Sequence, residues 1–461
     1  MTPPVDAPRA TRPAPFHHQT TGTRWLREVG RGLLADEPGL GKTRQLIEAS
    51  SGRTLVVAPG LVLAGGTWDT EITRWADTPE RFTSVPYTTL PARDGRKITT
   101  RVRDEYAGPW DTIILDESHY VKGRTTSWTQ VLRGLARTTP RVFLATGTPV
   151  PNWGPEIFTT LQLLHGQDRP GQAYGAYWRW ANQWFATEYN HFAHQTSKLT
   201  GRLHGCTPDC PPATCPHWAA FTAANLGGRV LRRTAADCLD LPPLTVTTIR
   251  TPMATATHRA YRDMHRDFWA EIEGIGFRGD WTVGGRNHIL AMIAVSPWLL
   301  SPTGTPTGGK FDRLAADLSD YAHTGPILVL AHHTNVVDAC AAVATAQGLT
   351  AAAVTGRTPT RQAGDAIRAF RDGRLDVLAG SLDMLGEGHT FTAGTTAIFV
   401  EKSWVPARNA QARRRLHRPG QTRHVHVLEY VTPGSVDDVK ERTLAEKATA
   451  QDGLTTAMTR T

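Results

Sequence analysis

LLADEPGLGKTRQ, residues 33–45, is the stretch that decides the fold. Its two leucines read as the end of a buried strand. Gly39 and Gly41 then break the apolar pattern, and Lys42 and Thr43 open a run with helical spacing. A strand, a glycine loop and a helix in that order point backbone N–H groups at one spot. The helix dipole favours negative charge there, so the spot suits a phosphate. Gly39, Leu40, Gly41, Lys42 and Thr43 would line it, with Lys42 on the outer phosphates and the Thr43 hydroxyl on Mg²⁺. The strict pattern begins with glycine, and here Asp36 stands in that place. The bland alternative is a glycine turn before a helix.

Working outward, a phosphate loop needs an acidic strand end as its neighbour. TIILDE (112–117) is an apolar run ending in Asp116 and Glu117. Asp116 would hold Mg²⁺, and Glu117 would orient and deprotonate the attacking water. RVFLATG (141–147) is the next such run, and its Thr146 and Thr148 could sense the nucleotide. Upstream, Gln19 carries an amide that can pair with the donor and acceptor on adenine's edge.

These runs, with TLVVAP (54–59), form a first set of short apolar strands separated by helical stretches. ILVLAHH (327–333), DVLAGS (376–381) and TAIFVEKS (396–403) form a second. The alternation predicts an α/β protein with two parallel-sheet domains. In such sheets the chemistry lies beyond the carboxyl ends of the strands. The boundaries expected are a disordered start over 1–14, a first domain over 15–245 with a helical insertion at about 152–228, a helical connector over 246–308, a second domain over 309–445, and a tail over 446–461.

Within the insertion, GRLHGCTPDCPPATCPHW (201–218) gathers Cys206, Cys210, Cys215 and His217, with His204 to spare. Thiolates and an imidazole suit tetrahedral Zn²⁺ in a structural role. The spacing departs from standard fingers, and the competing reading is a Pro-rich loop with reduced thiols. Cys238 and Cys340 stand alone, so no disulfide framework is expected.

The chain has 461 residues, enough for two or three domains. It carries 51 Lys+Arg against 42 Asp+Glu, a net charge of +9 that favours polyanions. No apolar run approaches the roughly 18 residues that span a bilayer, and the start lacks a signal-peptide core. A soluble, cytoplasmic protein without membrane partners is expected, and the Ala/Arg/Thr-rich composition leans towards a bacterium or its virus.

Taken in order, Gln19, DEPGLGKT (36–43), DESHYVKG (116–123), TGTP (146–149), VLRRTAADCLDLPPL (230–244) and RRLHRPGQ (414–421) resemble the superfamily-two helicase-related ATPases. The resemblance is to the Swi/Snf-type branch of DNA translocases and spans about residues 13–445. LVLAHHTNVVDA (328–339) and EGHTFTAG (387–394) are similar to its annealing-helicase members. The resemblance implies two RecA-like domains, ATP and Mg²⁺, and a double-stranded DNA track gripped without sequence preference by a monomeric motor. It implies DNA grips around Pro59-Gly60, Thr146-Gly147, Ser381 and Gly386 to Gly388, with Gly388 also near the nucleotide. It also implies that Gln411, Arg415 and Arg418 match a family pattern whose arginines act as fingers on the γ-phosphate. Arg413 and Arg414 fall outside that pattern and are expected to be solvated or to face DNA.

The function expected is therefore a DNA-stimulated ATPase that translocates on duplex DNA and remodels DNA or protein–DNA complexes. The alternatives are a strand-separating or annealing helicase, and a nucleic-acid-binding protein with weak catalysis. The sequence does not separate DNA from RNA beyond the resemblance.

Overall fold

A computed structural model describes residues 12–459 apart from 150–153, 167–176, 191–194, 207–213, 254, 268, 273–274, 279–282, 297–298, 300–308 and 386–389. The chain divides into two compact units, Met1–Cys238 with Thr449–Thr461 and Leu239–Ala448.

In the first unit, strands β1 (Arg31–Leu34), β2 (Thr54–Ala58) and β3 (Phe82–Pro86) precede a small antiparallel hairpin, β4 (Pro91–Asp94) with β5 (Lys97–Val102). Strands β6 (Thr112–Asp116) and β7 (Arg141–Ala145) follow. A second hairpin joins β8 (Phe185–Asn190) to β9 (Gln195–Leu203), and β10 (Val230–Leu231) returns to the main sheet. That sheet is parallel throughout, in the order β10-β1-β7-β6-β2-β3. Its strands read as continuous apolar runs because both faces are buried. Leu55, Val57, Ile113, Leu115, Val142 and Leu144 pack on one face; Val56, Ala58, Ile114, Phe143 and Ala145 pack on the other.

The register places Leu34, Ala145 and Asp116 level with one another. The three loops expected to carry chemistry thus leave neighbouring strands at one height.

The insertion adds the β8–β9 hairpin to its helices, Phe158–His165, Tyr177–Trp184 and Pro216–Asn225. It shares the first face's core, where Trp180, Phe185, Leu203, Trp218 and Phe221 are buried beside the strand residues. Phe221 is the hub, with Trp184, Phe185 and Trp218 rings 5.3, 5.7 and 5.9 Å away in edge-on geometry.

In the second unit β11 (Leu244–Arg250) opens the chain, followed by the hairpin β12 (Trp269–Ile272) and β13 (Ile275–Arg278). Strands β14 (Ile327–Ala331), β15 (Ala351–Val354), β16 (Val377–Ser381), β17 (Thr396–Phe399) and β18 (Val425–Val431) complete a parallel sheet in the order β11-β18-β17-β14-β16-β15. The stretch expected as a helical connector therefore starts as an edge strand, paired with β18 along its whole length. Its outward residues are solvated, so LTVTTIR lacks the apolar density of an interior strand. Just past that stretch, Lys310, the first residue of helix Lys310–Tyr321, is 1 % exposed and bonds the Val400 carbonyl and the Asp437 carboxylate at 2.9 and 2.7 Å.

Residues 1–11 of the expected disordered start lie outside the described residues. Arg12 is anchored by Asp77 and the Ala76 carbonyl, both at 2.8 Å. Helix Val436–Thr459 runs through most of the expected tail. Among the described residues no helix is long and apolar enough to cross a membrane.

Because the insertion shares the first sheet's core, Phe221→Ala should cost the first unit about 3–5 kcal/mol. Denaturant unfolding followed by tryptophan fluorescence checks this. An unchanged midpoint would mean that the insertion unfolds alone.

Candidate nucleotide site

Beyond β1 the chain turns at Gly39 and Gly41, whose φ angles of +96° and +70° suit glycine. Gly41 is the N-cap of helix Lys42–Ala49. Lys42 Nζ donates to the Asp36 and Glu37 carbonyls at 2.7 and 3.3 Å, which poises the ammonium inside the loop. Gln19 is buried. Its Oε1 accepts from the Phe16 N–H at 3.1 Å and its amide nitrogen approaches the Leu40 carbonyl at 3.4 Å. A Cβ on Gly41 would lie 2.3 Å from that nitrogen, so glycine is required beneath the amide. The glutamine's observed partners are thus the loop and its own helix start.

At the end of β6, Asp116 accepts from Trp68 Nε1 at 2.9 Å and from the Glu117 N–H at 3.0 Å, and the Tyr87 hydroxyl donates to its carbonyl at 2.8 Å. Removal from water, with Glu117 adjacent, lifts the Asp116 carboxyl to about 6, while Trp68 and Lys42 pull it down. A carboxylate so placed gains from a cation. Glu117 has φ +47°, the one positive value at a non-glycine residue among those described. That strained turn aims its carboxylate sideways, to the Thr146 hydroxyl and His119 Nδ1, both at 3.3 Å.

Thr146 is therefore committed. It is 1 % exposed, and its hydroxyl sits between Glu117 and His119. Gly147 packs on the phosphate loop, since a Cβ there would meet Pro38 at 2.9 Å. Pro59 ends β2 buried, and Gly60 is exposed at the start of helix Gly60–Ala64.

One residue was missed by sequence reasoning. Arg233, just past β10, donates to both oxygens of Asp36, to the His18 carbonyl and to Gln45 Oε1. Asp36 is fully buried. The backbone prepares this clamp, because the N–H groups of Leu33, Ala35 and Glu37 bond the carbonyls of Arg229, Leu231 and Arg233 in turn. β10 thus braces the strand and the loop that follows it. The available signal was Asp36 itself, an acid where a phosphate loop usually starts with glycine.

In the second unit, the basic stretch follows helix Pro406–Arg413. Leu416 is buried in the core of one sheet face. Gln421 closes the loop, its amide nitrogen near the carbonyls of Gly394, Thr392 and Leu416 at 2.8, 3.2 and 3.3 Å. Gln411 and Arg415 are buried, Arg415 at 2 % exposure. Arg418 donates to the Thr390 hydroxyl at 2.9 Å and the Arg414 carbonyl at 3.2 Å. Arg413 departs from expectation. It bonds Glu429 at 2.5 Å, a β18 carboxylate that also takes Lys402 at 3.0 Å, and so serves a buried ion network. Ser381 is also buried. Gly386 and Gly388 lie outside the described residues.

Cys206, Cys215 and His217 come together, with donor atoms all within 4.8 Å of one another. Cys210 lies outside the described residues. His204 instead contacts the Asn182 carbonyl at 2.9 Å.

The donor set of the first unit fits a nucleotide with Mg²⁺: a lysine inside a glycine loop, a threonine at the helix start and a desolvated carboxylate at the end of β6, one strand removed from β1. The comparisons agree. The SNF2-related domain family matches residues 18–278, and the helicase conserved C-terminal domain matches 309–420. The DNA annealing helicase and endonuclease ZRANB3 of Bos taurus is 24% identical over 452 residues, which covers 92% of this chain and 39% of that one. A Caenorhabditis elegans homolog of SWI/SNF-related matrix-associated actin-dependent regulator of chromatin subfamily A-like protein 1 is 25% identical over 468 residues, covering 94% and 60%. The probable global transactivator of Orgyia pseudotsugata multicapsid polyhedrosis virus is 22% identical, covering 92% and 88%. The solved Sulfolobus solfataricus SWI2/SNF2 ATPase core in complex with dsDNA aligns over 98% of this chain and 96% of that one, at 19% identity and a TM-score of 0.39. The chain spans about two fifths of the length of the ZRANB3 relatives it matches.

Arg233→Ala should strand the Asp36 carboxylate in the interior, a loss of about 3–5 kcal/mol, and weaken binding of a fluorescent ATP analogue. Arg233→Lys should recover only part of this, since an ammonium cannot hold Asp36, His18 and Gln45 together. Unchanged nucleotide affinity in Arg233→Ala would remove the clamp from the site.

Proposed function

The chain belongs to the SNF2-related family, and from that membership we propose that it is a DNA-stimulated ATPase that translocates on double-stranded DNA and remodels DNA or protein–DNA complexes. The observation that carries this reading is the alignment of Lys42, Asp116 and Thr146 beyond neighbouring strands, with Glu117 turned onto Thr146.

In this reading the N–H groups of the loop and Lys42 hold the phosphates, and Thr43 with Asp116 holds Mg²⁺, which neutralises phosphate charge. Glu117 takes the proton of the attacking water. Its bond to Thr146 reports the state of that carboxylate to the segment after β7, which packs on Pro38 through Gly147. Gln19 presents its side chain to adenine. Arg415 and Arg418 act as fingers on the γ-phosphate, and Arg418's contact with Thr390 holds it ready. The DNA grips are the backbones at Pro59-Gly60 and Thr146-Gly147 in the first unit and at Ser381 and Gly386 to Gly388 in the second. Such grips carry no sequence information and weaken with salt. The net charge of +9 supports a polyanionic track.

The alternative of annealing or strand separation draws on the likeness to the DNA annealing helicase and endonuclease ZRANB3. A strand-annealing assay beside a triplex-displacement assay separates it from duplex translocation.

The test is ATP turnover with duplex DNA, single-stranded DNA, RNA or no nucleic acid. Duplex DNA should stimulate strongly, with an apparent affinity that falls steeply as salt rises. Equal rates in all four conditions would end the motor reading. Glu117→Gln should keep nucleotide binding while turnover falls by at least about 10²-fold, whereas Lys42→Ala should lose both. Arg415→Ala and Arg418→Ala should lower kcat and leave duplex affinity nearly intact. Wild-type turnover in Glu117→Gln would remove it as the base.

A further inference from the structure

We propose that Cys206, Cys215 and His217 bind a structural zinc ion that pins the β8–β9 hairpin to helix Pro216–Asn225. Cys206 follows the end of β9, Cys215 is the N-cap of the helix, and His217 lies in its first turn. The Cys206 and Cys215 sulfurs are 3.4 Å apart, and Cys215 Sγ is 3.6 Å from His217 Nδ1. A zinc tetrahedron with Zn–S of ~2.3 Å and Zn–N of ~2.05 Å has S···S and S···N edges of roughly 3.8 and 3.5 Å. The observed edges match that figure within a few tenths of an ångström. A disulfide needs its sulfurs at ~2.05 Å, well inside the observed separation.

Three further features suit a metal. Gly205 has φ +78°, and a Cβ there would lie 2.5 Å from His217 Nε2, so glycine leaves room for the imidazole to fold back. This answers the tight spacing of Cys215 and His217, since the ring reaches the N-cap sulfur from the first turn. Cys215 is buried at a helix N-terminus, where the dipole favours a thiolate. The surrounding aromatic core of Trp180, Phe185, Trp218 and Phe221 holds both elements in register.

The donor set selects the ion. Two thiolates and an imidazole suit zinc rather than magnesium or calcium. A tetrahedron needs a fourth donor, and the sequence expectation for it is Cys210, in the stretch outside the described residues. The role is structural. The cluster packs on the sheet face opposite helix Lys42–Ala49, whose Leu46 and Ile47 belong to the other face. The helix pinned by the ion leads directly to β10 and Arg233, so zinc would set where the clamp on Asp36 begins.

The experiment measures zinc in the untagged full chain, purified under reducing conditions, by elemental analysis. It also follows cobalt(II) titration of chelator-treated protein by visible absorption. About one equivalent of zinc is expected, with thiolate-to-cobalt charge transfer and the intense visible bands of a tetrahedral site. Cys206→Ser and Cys215→Ser should each cut zinc content at least twofold, and Cys238→Ser should keep it. Chelation should lower the melting temperature of the wild type but not of Cys215→Ser. Less than half an equivalent in the wild type overturns the proposal. So does an octahedral cobalt spectrum, a Cys206–Cys215 disulfide in the reduced preparation, or full zinc in both Cys206→Ser and Cys215→Ser. The cobalt spectrum of the wild type decides the matter even if a variant fails to fold.

Discussion

A buried carboxylate needs a cation, and the first unit is arranged around meeting that need. Asp36 stands where phosphate loops usually start with glycine, and its side chain has no access to water. Arg233 supplies the charge, bonds both oxygens and extends to the His18 carbonyl and Gln45 Oε1. The His18 and Gln45 side chains also approach the Leu40 carbonyl, at 3.0 and 3.3 Å. One guanidinium thus ties Asp36 to the residues that hold the glycine loop. Removing it would leave a charge that the interior cannot solvate, which makes this pair a strict constraint. Whatever positions β10 also positions the phosphate loop.

The second unit uses charge in the same way. Four arginines between Gln411 and Gln421 look like a patch for an anion. Arg413 instead answers Glu429, whose carboxyl burial alone would push up and which Arg413 and Lys402 hold below its ordinary value. Arg415 is buried, and Gln421 gathers three carbonyls to close the loop. A similar logic holds Glu401 at the end of β17, where His333 and its N–H outweigh desolvation and bring the carboxyl down to about 2. Counting charges in a linear stretch overstates what is available to a ligand. The count is blind to carboxylates brought in from other strands.

What the sequence made legible follows from locality. Interior parallel strands are short unbroken apolar runs, so β2, β6, β7, β14 and β16 were readable. Glycines with positive φ and an acid at a strand end are local signals too, so Gly39, Gly41, Lys42, Asp116 and Glu117 came out together. Edge strands were hidden. β11 alternates Thr with exposed Val246, and β10 is two residues long. The bond from Thr146 to Glu117 was hidden, because a linear motif does not reveal that Glu117 adopts a left-handed turn and captures that hydroxyl. Arg233 was quoted only within the family stretch VLRRTAADCLDLPPL; its partner lies 197 residues earlier. The cysteine cluster was readable as composition, while its convergence depended on a hairpin that the Trp- and His-rich stretch concealed.

The placement of β10 has a consequence for how the protein is made. β1 sits inside the finished sheet, between β7 and β10, and Asp36 acquires its counter-charge only from residue 233. A ribosome adding ~5–20 residues per second needs on the order of ten to forty seconds to travel that distance. During that interval the nascent chain carries an open β1 edge and a carboxylate that cannot yet be buried. The glycine loop is therefore synthesised well before the residues that complete it. Until the insertion has emerged and folded back, Asp36 has no clamp and β1 has no outer neighbour.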